Sequence, residues 1–356
     1  MIGLGFVGCG DVAFRTYFPG LEPLAGRARV VACFDERPER REAAAADFDG
    51  ARAVATLDEL IAADGVDAVV NLTPAPVHAE VTAKALEAGH HVYSEKPLAM
   101  TLREADELIG LAEARGKLLL CAPAVNATVR FRWLREVLET GRIGRPTLGM
   151  AMFATMGPAA WREYTGDPSV HYTAGVGPLL DLGVYVLHGL TGLLGPARRV
   201  ESFSGIAIPQ RDVVIDRLAG ERITVTEDDQ VLIHLAWDDG ILAQVATTFT
   251  VADTRLPALE LHGTRGALSI SRRSWFDGSG PVEVVDAKNG WETLSPPQDS
   301  PYAHLIMAGI AHFVDCLEGV EAPILTAAHA RHVLEIALGA GRSAREGRAV
   351  DLQTTF

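Results

Sequence analysis

Short apolar runs alternate with helix-period segments over the first ~120 residues, and no other feature constrains the fold as tightly. The apolar runs span residues 2–7, 29–35, 68–72, 91–94 and 118–121. Each has the length of a strand buried on both faces. Helical patterns fall between them, at about 12–24, 39–48, 57–62, 77–88 and 102–114. Strand and helix in alternation imply a doubly wound α/β domain with a parallel sheet and right-handed crossovers.

The pattern changes after Cys121. A helix is expected at 127–139, ended by Gly141-Arg142-Ile143-Gly144-Arg145-Pro146. Extended segments follow at 146–153, 199–208, 230–237, 241–250, 258–262 and 267–271, with turns at Asp238-Asp239-Gly240 and Gly263-Thr264-Arg265-Gly266. Long helices are expected at 303–317 and 327–345. The second part therefore reads as α+β with a mostly antiparallel sheet. A chain of 356 residues suits two domains, and the change of pattern places them at 1–122 and 123–356.

Composition limits the partners. The formal net charge of −14 argues against nucleic acid. The four cysteines form no CxxC pair and read as small core residues. His329 and His332 lie three apart with no carboxylate or Cys pattern beside them, so no metal is expected. The apolar run at 176–194 nears membrane length but carries Asp181, Tyr185 and His188, which are costly in lipid. The start shows no basic leader, and a cytoplasmic protein is expected.

Two overlapping glycine patterns occur near the start. Gly3-x-Gly5-x-x-Gly8 leaves no room for a preceding strand. Gly8-Cys9-Gly10-Asp11-Val12-Ala13 follows a strand and opens a helix, as a dinucleotide loop requires. Free N–H groups at a helix N-terminus favour a phosphate. The second strand ends in Asp35, whose carboxylate suits ribose hydroxyls and repels a 2′-phosphate. NAD is therefore favoured, while Arg37 offers a cation for NADP.

Other strand ends carry polar motifs. The third long apolar run leads into Thr73-Pro74, with His78 in the following helix, and the fourth into Glu95-Lys96-Pro97. In an open parallel sheet, the C-terminal strand ends form the ligand crevice. Lys96 suits a developing alkoxide. In the second domain, Asp181, Tyr185 and His188 interrupt an apolar helix at i, i+4 and i+7, which puts them on one face. Such a stripe either satisfies itself internally or lines a cleft and moves protons. Tyr185 needs a nearby cation to lower its pKa, whereas His188 titrates nearest neutrality. The spacing leaves both open as the acid/base.

These motifs, with Trp161-Arg162 and Gly175-Val176-Gly177-Pro178-Leu179-Leu180-Asp181-Leu182-Gly183-Val184-Tyr185, resemble the glucose–fructose oxidoreductase / inositol dehydrogenase (Gfo/Idh/MocA) family over essentially the whole chain. The resemblance implies a Rossmann domain followed by a domain with a large open sheet that forms dimers or tetramers. It implies NAD or NADP, and a sugar or cyclic polyol as substrate. It assigns Lys96 as the catalytic lysine and Asp181 as the helix aspartate, with Tyr185 where His is usual and His188 where Asp is common. Gly8, Gly10, Asp11, Val12, Asp35, Arg37, Thr73, Pro74, His78, Glu95, Lys96, Pro97, Trp161 and Arg162 are the expected cofactor contacts. Hydride transfer at a CH–OH carbon is the expected reaction. The alternatives are a redox-neutral, NAD-retaining sugar hydrolase or lyase and a non-catalytic NAD(P) sensor; intact Lys96 weighs against the sensor.

Overall fold

The computed structural model describes residues 1–173, 175–271, 281–286, 288–297 and 300–356. The chain forms two compact units, residues 1–128 with 300–334, and residues 129–299 with 335–356. The late segment 300–334 packs with the first unit.

The first unit holds β1 (Ile2–Val7), β2 (Ala28–Phe34), α1 (Pro38–Ala46), β3 (Arg52–Ala53), α2 (Leu57–Ile61), β4 (Ala68–Asn71), α3 (His78–Glu87), β5 (His91–Ser94), α4 (Leu102–Arg115) and β6 (Leu119–Cys121). The six strands run in the order β3-β2-β1-β4-β5-β6, every pair parallel. The order reverses between β1 and β4, so their C-terminal ends open a crevice at the switch point. The core is aliphatic, with Leu60, Val69, Leu86, Val92 and Leu108 all buried. Local signals set the helix ends. Thr101 and Glu104 form a reciprocal capping box at the start of α4, and Gly116 closes it at φ +61°. The edge strand β6 is covered by residues 325 and 326, through Cys121 N–H to Leu325 O at 3.1 Å and a bridge from Leu120 to Thr326.

The helix expected over 12–24 is broken. Residues 11–17 are helical, with a widened turn in which Phe18 N–H donates to Ala13 O at 2.9 Å. A tight turn, Pro19–Leu24, follows. Pro19 and Pro23 cannot donate to a helical ladder, which accounts for the break. The two-residue β3 was also not foreseen; it has too few residues for a period.

The second unit holds α5 (Val129–Glu139), β7 (Pro146–Ala154), α6 (Val170–Thr173), α7 (Val184–Leu194), β8 (Arg199–Gly205), β9 (Gln210–Asp212), β10 (Arg222–Thr224), β11 (Gln230–Ala236), β12 (Leu242–Thr248), β13 (Leu259–Gly263), β14 (Gly266–Ile270), β15 (Val282–Asp286) and β16 (Glu292–Leu294). After α8 (Leu305–Leu317) of the first unit comes α9 (Ala327–Glu346), within which the division falls, and then β17 (Val350–Asp351). Among the described residues nine strands form one sheet, β16-β15-β14-β13-β7-β12-β11-β8-β17. All its pairs are antiparallel except β7 with β12. Burial alternates along β11 and β12. One face is buried, and the other exposes Leu148, Met150, Phe203, Leu232 and Leu242. Phe203 pairs across strands with Leu232, and Leu242 with Leu148, which makes two apolar patches on this face with His234 and Gln244 in the row between them.

No helix among the described residues is long and apolar enough to cross a membrane. Cys9, Cys33 and Cys121 are buried as expected, whereas Cys316 is only partly covered.

Candidate active site

Four strand ends of the first unit carry the expected cofactor residues other than Trp161 and Arg162, which lie in the second unit. Gly8 follows β1 at φ +88°, a conformation that glycine alone adopts readily. A Cβ there would lie 2.7 Å from Leu72 C and O and 2.8 Å from Thr73 N, all backbone atoms. The loop can pass β4 this closely only without a side chain. At Gly10 a Cβ would meet a single atom, Arg40 Nη1, at 3.7 Å. The outer side of the loop is therefore open, as close approach of a pyrophosphate requires. Gly3 and Gly5 lie inside β1, where a Cβ would run into Gly65 O and Leu60 respectively. Their pattern reflects strand packing.

Asp35 has a bracing role that its sequence position did not reveal. Its Oδ2 accepts Cys9 N–H at 2.8 Å and its Oδ1 accepts Arg37 N–H at 2.9 Å. The glycine loop is thus tied to the end of β2, and Cys9 N–H is engaged within the protein. Each carboxylate oxygen retains a lone pair for a ribose hydroxyl. Asp11 pairs with Arg15 at 2.7 Å, Val12 is half-buried, and Arg37 is exposed. Arg40, not singled out from the sequence, is a further cation beside the loop. The Cys9 thiol is pushed far up, first by its hydrogen bond with Cys33 and then by burial.

The β4 and β5 ends are joined by buried polar groups. Asn71 is fully buried; its Oδ1 accepts Thr73 Oγ1–H at 2.6 Å and its Nδ2 donates to His78 O at 3.1 Å. That shapes the Thr73-Pro74 turn. The His78 ring lies between Thr73 O at 2.6 Å and Pro97 O at 2.7 Å. It bridges the two strand-end loops. Burial holds its pKa below the ordinary value, against the opposing pull of both carbonyls and Glu95. Glu95 is buried; its Oε1 accepts Tyr17 O–H at 2.6 Å and its Oε2 accepts Lys96 N–H at 2.9 Å. The Lys96 backbone is therefore held by a carboxylate that is itself held from the first helical segment. Burial, then Glu95, push the Tyr17 phenol well above its usual range. The Lys96–Pro97 peptide is cis, and the Lys96 side chain is half-buried.

In the second unit the polar stripe is not one regular helical face. Asp181 sits in a widened turn, Leu179–Gly183, that runs into α7. Gly183 lets this turn approach β12: a Cβ would lie 3.2 Å from Thr247 Cγ2, and Thr247 Oγ1 donates to Pro178 O at 2.8 Å. Tyr185 is buried edge-on against Phe153, with centroids 5.8 Å apart. His188 is buried, and its Nδ1 lies 2.8 Å from Val184 O one turn back, which assigns the proton to Nδ1. Trp161 is half-exposed and stacks at a tilt on Tyr164, centroids 5.6 Å apart, while Arg162 pairs with Asp216. One residue that sequence reasoning missed stands beside Asp181. His171 Nδ1 lies 3.6 Å from Asp181 Oδ2, and its Nε2 lies 3.0 Å from the Tyr164 hydroxyl. No group of three or more His, Cys, Asp or Glu among the described residues is arranged to hold a metal.

Comparison with known proteins agrees with this geometry. Residues 2–122 match the oxidoreductase family with an NAD-binding Rossmann fold, and residues 131–269 match the GFO/IDH/MocA C-terminal domain. The chain belongs to the GFO/IDH/MocA oxidoreductase family. It is 29% identical to 1,5-anhydro-D-fructose reductase of Ensifer adhaerens over 355 residues, 98% of each chain. It is 31% identical to dTDP-3,4-didehydro-2,6-dideoxy-alpha-D-glucose 3-reductase of Actinomadura kijaniata, over 76% of this chain and 75% of the relative. Among solved structures, levoglucosan dehydrogenase in complex with NADH and levoglucosan superposes with a TM-score of 0.85 at 20% identity, covering 99% of this chain and 100% of that one. An oxidoreductase from Agrobacterium radiobacter in complex with NAD+, L-tartaric acid and magnesium gives 0.82 at 21%, covering 98% of each. These two likenesses show the fold. Family membership makes the chain an NAD(P)-dependent oxidoreductase, and the open glycine loop with Asp35 at its base fits NAD.

Proposed function

We propose that this oxidoreductase moves hydride between a nicotinamide and a CH–OH/C=O carbon of a sugar or cyclic polyol. The observation that carries the reading is the bracing of Lys96. A buried Glu95 takes its backbone N–H, and Tyr17 takes the other carboxylate oxygen, at the crevice end of β5. A cation held on so fixed a backbone suits one oxygen atom of a substrate. The named relatives above act on sugar derivatives, which supports a sugar as the class.

Lys96 is assigned the stabilisation of a developing alkoxide and the lowering of the hydroxyl pKa. Asp181 is assigned the binding of substrate hydroxyls, and Tyr185 the transfer of the hydroxyl proton. His188, whose Nδ1 lies 2.8 Å from Val184 O and whose proton is therefore on Nδ1, is the alternative acid/base. Gly8, Gly10, Asp11, Val12 and Asp35 would hold the dinucleotide, with Thr73, Pro74 and Pro97 at the neighbouring strand ends. When bound, the nicotinamide supplies the hydride acceptor or donor at C4. NAD is favoured by Asp35; Arg37 and Arg40 are the groups through which NADP would compete. The open sheet face, with its apolar patches at Phe203 and Leu232 and at Leu148 and Leu242, is proposed as the surface that pairs two copies.

A panel of 1,5-anhydro-D-fructose, levoglucosan, D-glucose and myo-inositol, each with NAD and NADP in the appropriate redox state, tests the reading by nicotinamide absorbance. Net turnover on at least one member is expected. Lys96→Ala should lower kcat/KM by about 10²–10³-fold and leave NADH affinity within a few-fold. Sugar consumed with no net absorbance change would instead establish the redox-neutral alternative. Wild-type kinetics in Lys96→Ala would remove the lysine from the mechanism.

A further inference from the structure

Asp181 is approached within its own unit by an imidazole, on a support built with unusual care. The four-residue helix α6 is anchored through Tyr172, which is almost fully buried. Tyr172 O accepts Thr226 N–H at 3.0 Å and Glu227 N–H at 2.9 Å, and its hydroxyl accepts Ala159 N–H at 3.2 Å. Its ring lies against Phe249, and the Arg211 guanidinium sits over it at 5.4 Å. Arg211 is itself buried in an ion pair with Asp229 at 2.7 Å. With Tyr172 held on one side, the preceding residue, His171, is fixed on another. Its side chain is 16% exposed and that of Asp181 is 18% exposed, so both reach solvent, whereas His188 does not.

The His171 ring nitrogens are differently placed. Nε2 lies 3.0 Å from the Tyr164 hydroxyl, with the two rings edge-to-face at 5.9 Å. Nδ1 faces Asp181 Oδ2 at 3.6 Å, beyond a hydrogen bond but within ion-pair reach. If the Tyr164 hydroxyl donates to Nε2, the neutral ring carries its proton on Nδ1, toward the carboxylate. Carboxylate, imidazole and hydroxyl then stand in the order in which a carboxylate and an imidazole fix each other's orientation. Catalytic contacts of this length commonly tighten when substrate arrives. The other ionisable groups around α6 act elsewhere. Asp167 accepts Ser169 N–H at 2.9 Å, Arg211 lies over Tyr172, and Glu227 Oε1 lies 4.0 Å from the Cβ position of Gly175.

We propose that His171 is a positioning residue for substrate binding: its imidazole, set in one tautomer by Tyr164, orients the Asp181 carboxylate for sugar hydroxyls. This rests on Asp181 as the substrate-holding residue. Neutral His171 presents Nδ1–H and leaves the carboxylate oriented for substrate. Protonated His171 forms a full ion pair that competes with the sugar for the same oxygens. Affinity therefore weakens on the acid side.

The test uses the full chain labelled with nitrogen-15 histidine, with His171 assigned through His171→Gln. The Nδ1–H tautomer is expected near neutral pH, and the titration midpoint should move about one pH unit lower in Asp181→Asn. With 1,5-anhydro-D-fructose as the probe substrate, His171→Gln should raise KM about tenfold, change kcat little and abolish the acid-side rise in KM. Tyr164→Phe should shift the tautomer mixture without removing the imidazole. An unchanged midpoint in Asp181→Asn overturns the inference, as does a wild-type KM–pH profile in His171→Gln. Wild-type KM in Asp181→Asn shows instead that the substrate-holding assignment has failed. Should Asp181→Asn not fold, the tautomer and the His171→Gln profile still decide.

Discussion

Alanine at Gly8 and alanine at Gly10 should fail in opposite ways. At Gly8 the added Cβ meets Leu72 C and O at 2.7 Å and Thr73 N at 2.8 Å, and none of these atoms can rotate away. The backbone there also stands at φ +88°. The left-handed conformation costs a non-glycine residue about 1–2 kcal/mol, and forcing a methyl into backbone adds about 1–3 kcal/mol. Gly8→Ala should therefore lose about 2–5 kcal/mol of stability in the first unit. For a unit of this size that lowers Tm by roughly 5–15 °C. Gly10 has no positive φ, and its Cβ would meet only the end of Arg40 at 3.7 Å, an ordinary contact. Gly10→Ala should keep Tm within about 2 °C but weaken NADH binding at least tenfold, since the methyl occupies the phosphate side of the loop. Thermal unfolding by circular dichroism and NADH fluorescence titration read the two effects separately. A stable Gly8→Ala with intact NADH affinity would refute the close-approach argument. Equal destabilisation by both substitutions would show that the loop is generally intolerant and that the geometry at Gly8 is not the reason.

Three further outcomes are expected. Tyr17→Phe removes the donor to the buried Glu95 Oε1 and should cost about 1–3 kcal/mol, with kcat falling while NADH affinity holds; stability and steady-state kinetics check it. His78 is held below its usual value of 6.5 by burial, so the native state favours the neutral ring. Its contribution is complete above that pH and is lost as pH falls, so wild-type Tm should drop more between pH 7 and pH 5 than that of His78→Gln. On the open sheet face, Phe203→Asp puts a charge on a side chain that is 69% exposed in the chain alone. It should shift sedimentation toward monomer with Tm of the chain little changed; an unaltered oligomeric state would remove this face from the proposed pairing.

Much of the first unit was legible because its signals are local. Strands β1 and β5 begin and end where the apolar runs do, and the capping box and the Gly116 stop reflect chemistry within one turn of chain. The break after Tyr17 was legible in retrospect, since Pro19 and Pro23 stand inside the expected helix. Short strands such as β9, β10 and β16 were not, because three residues carry no usable period. The polar stripe was read as one face of an ideal helix, and the widened turn under Asp181 altered the spacing on which that reading relied.

The sequence by itself determined where chemistry could sit: strand-end motifs, a glycine loop and a polar interruption in an apolar segment all follow from neighbours in the chain. Only the tertiary structure decided what each group spends itself on. Asp35 braces Cys9 across 26 positions, Tyr17 reaches Glu95 across 78, and His78 spans the loops at Thr73 and Pro97. His171 carries no motif and gains its meaning from facing Asp181. Such pairings depend on hydrogen-bond reach of about 3 Å between groups far apart in sequence, and neither period nor composition records a distance.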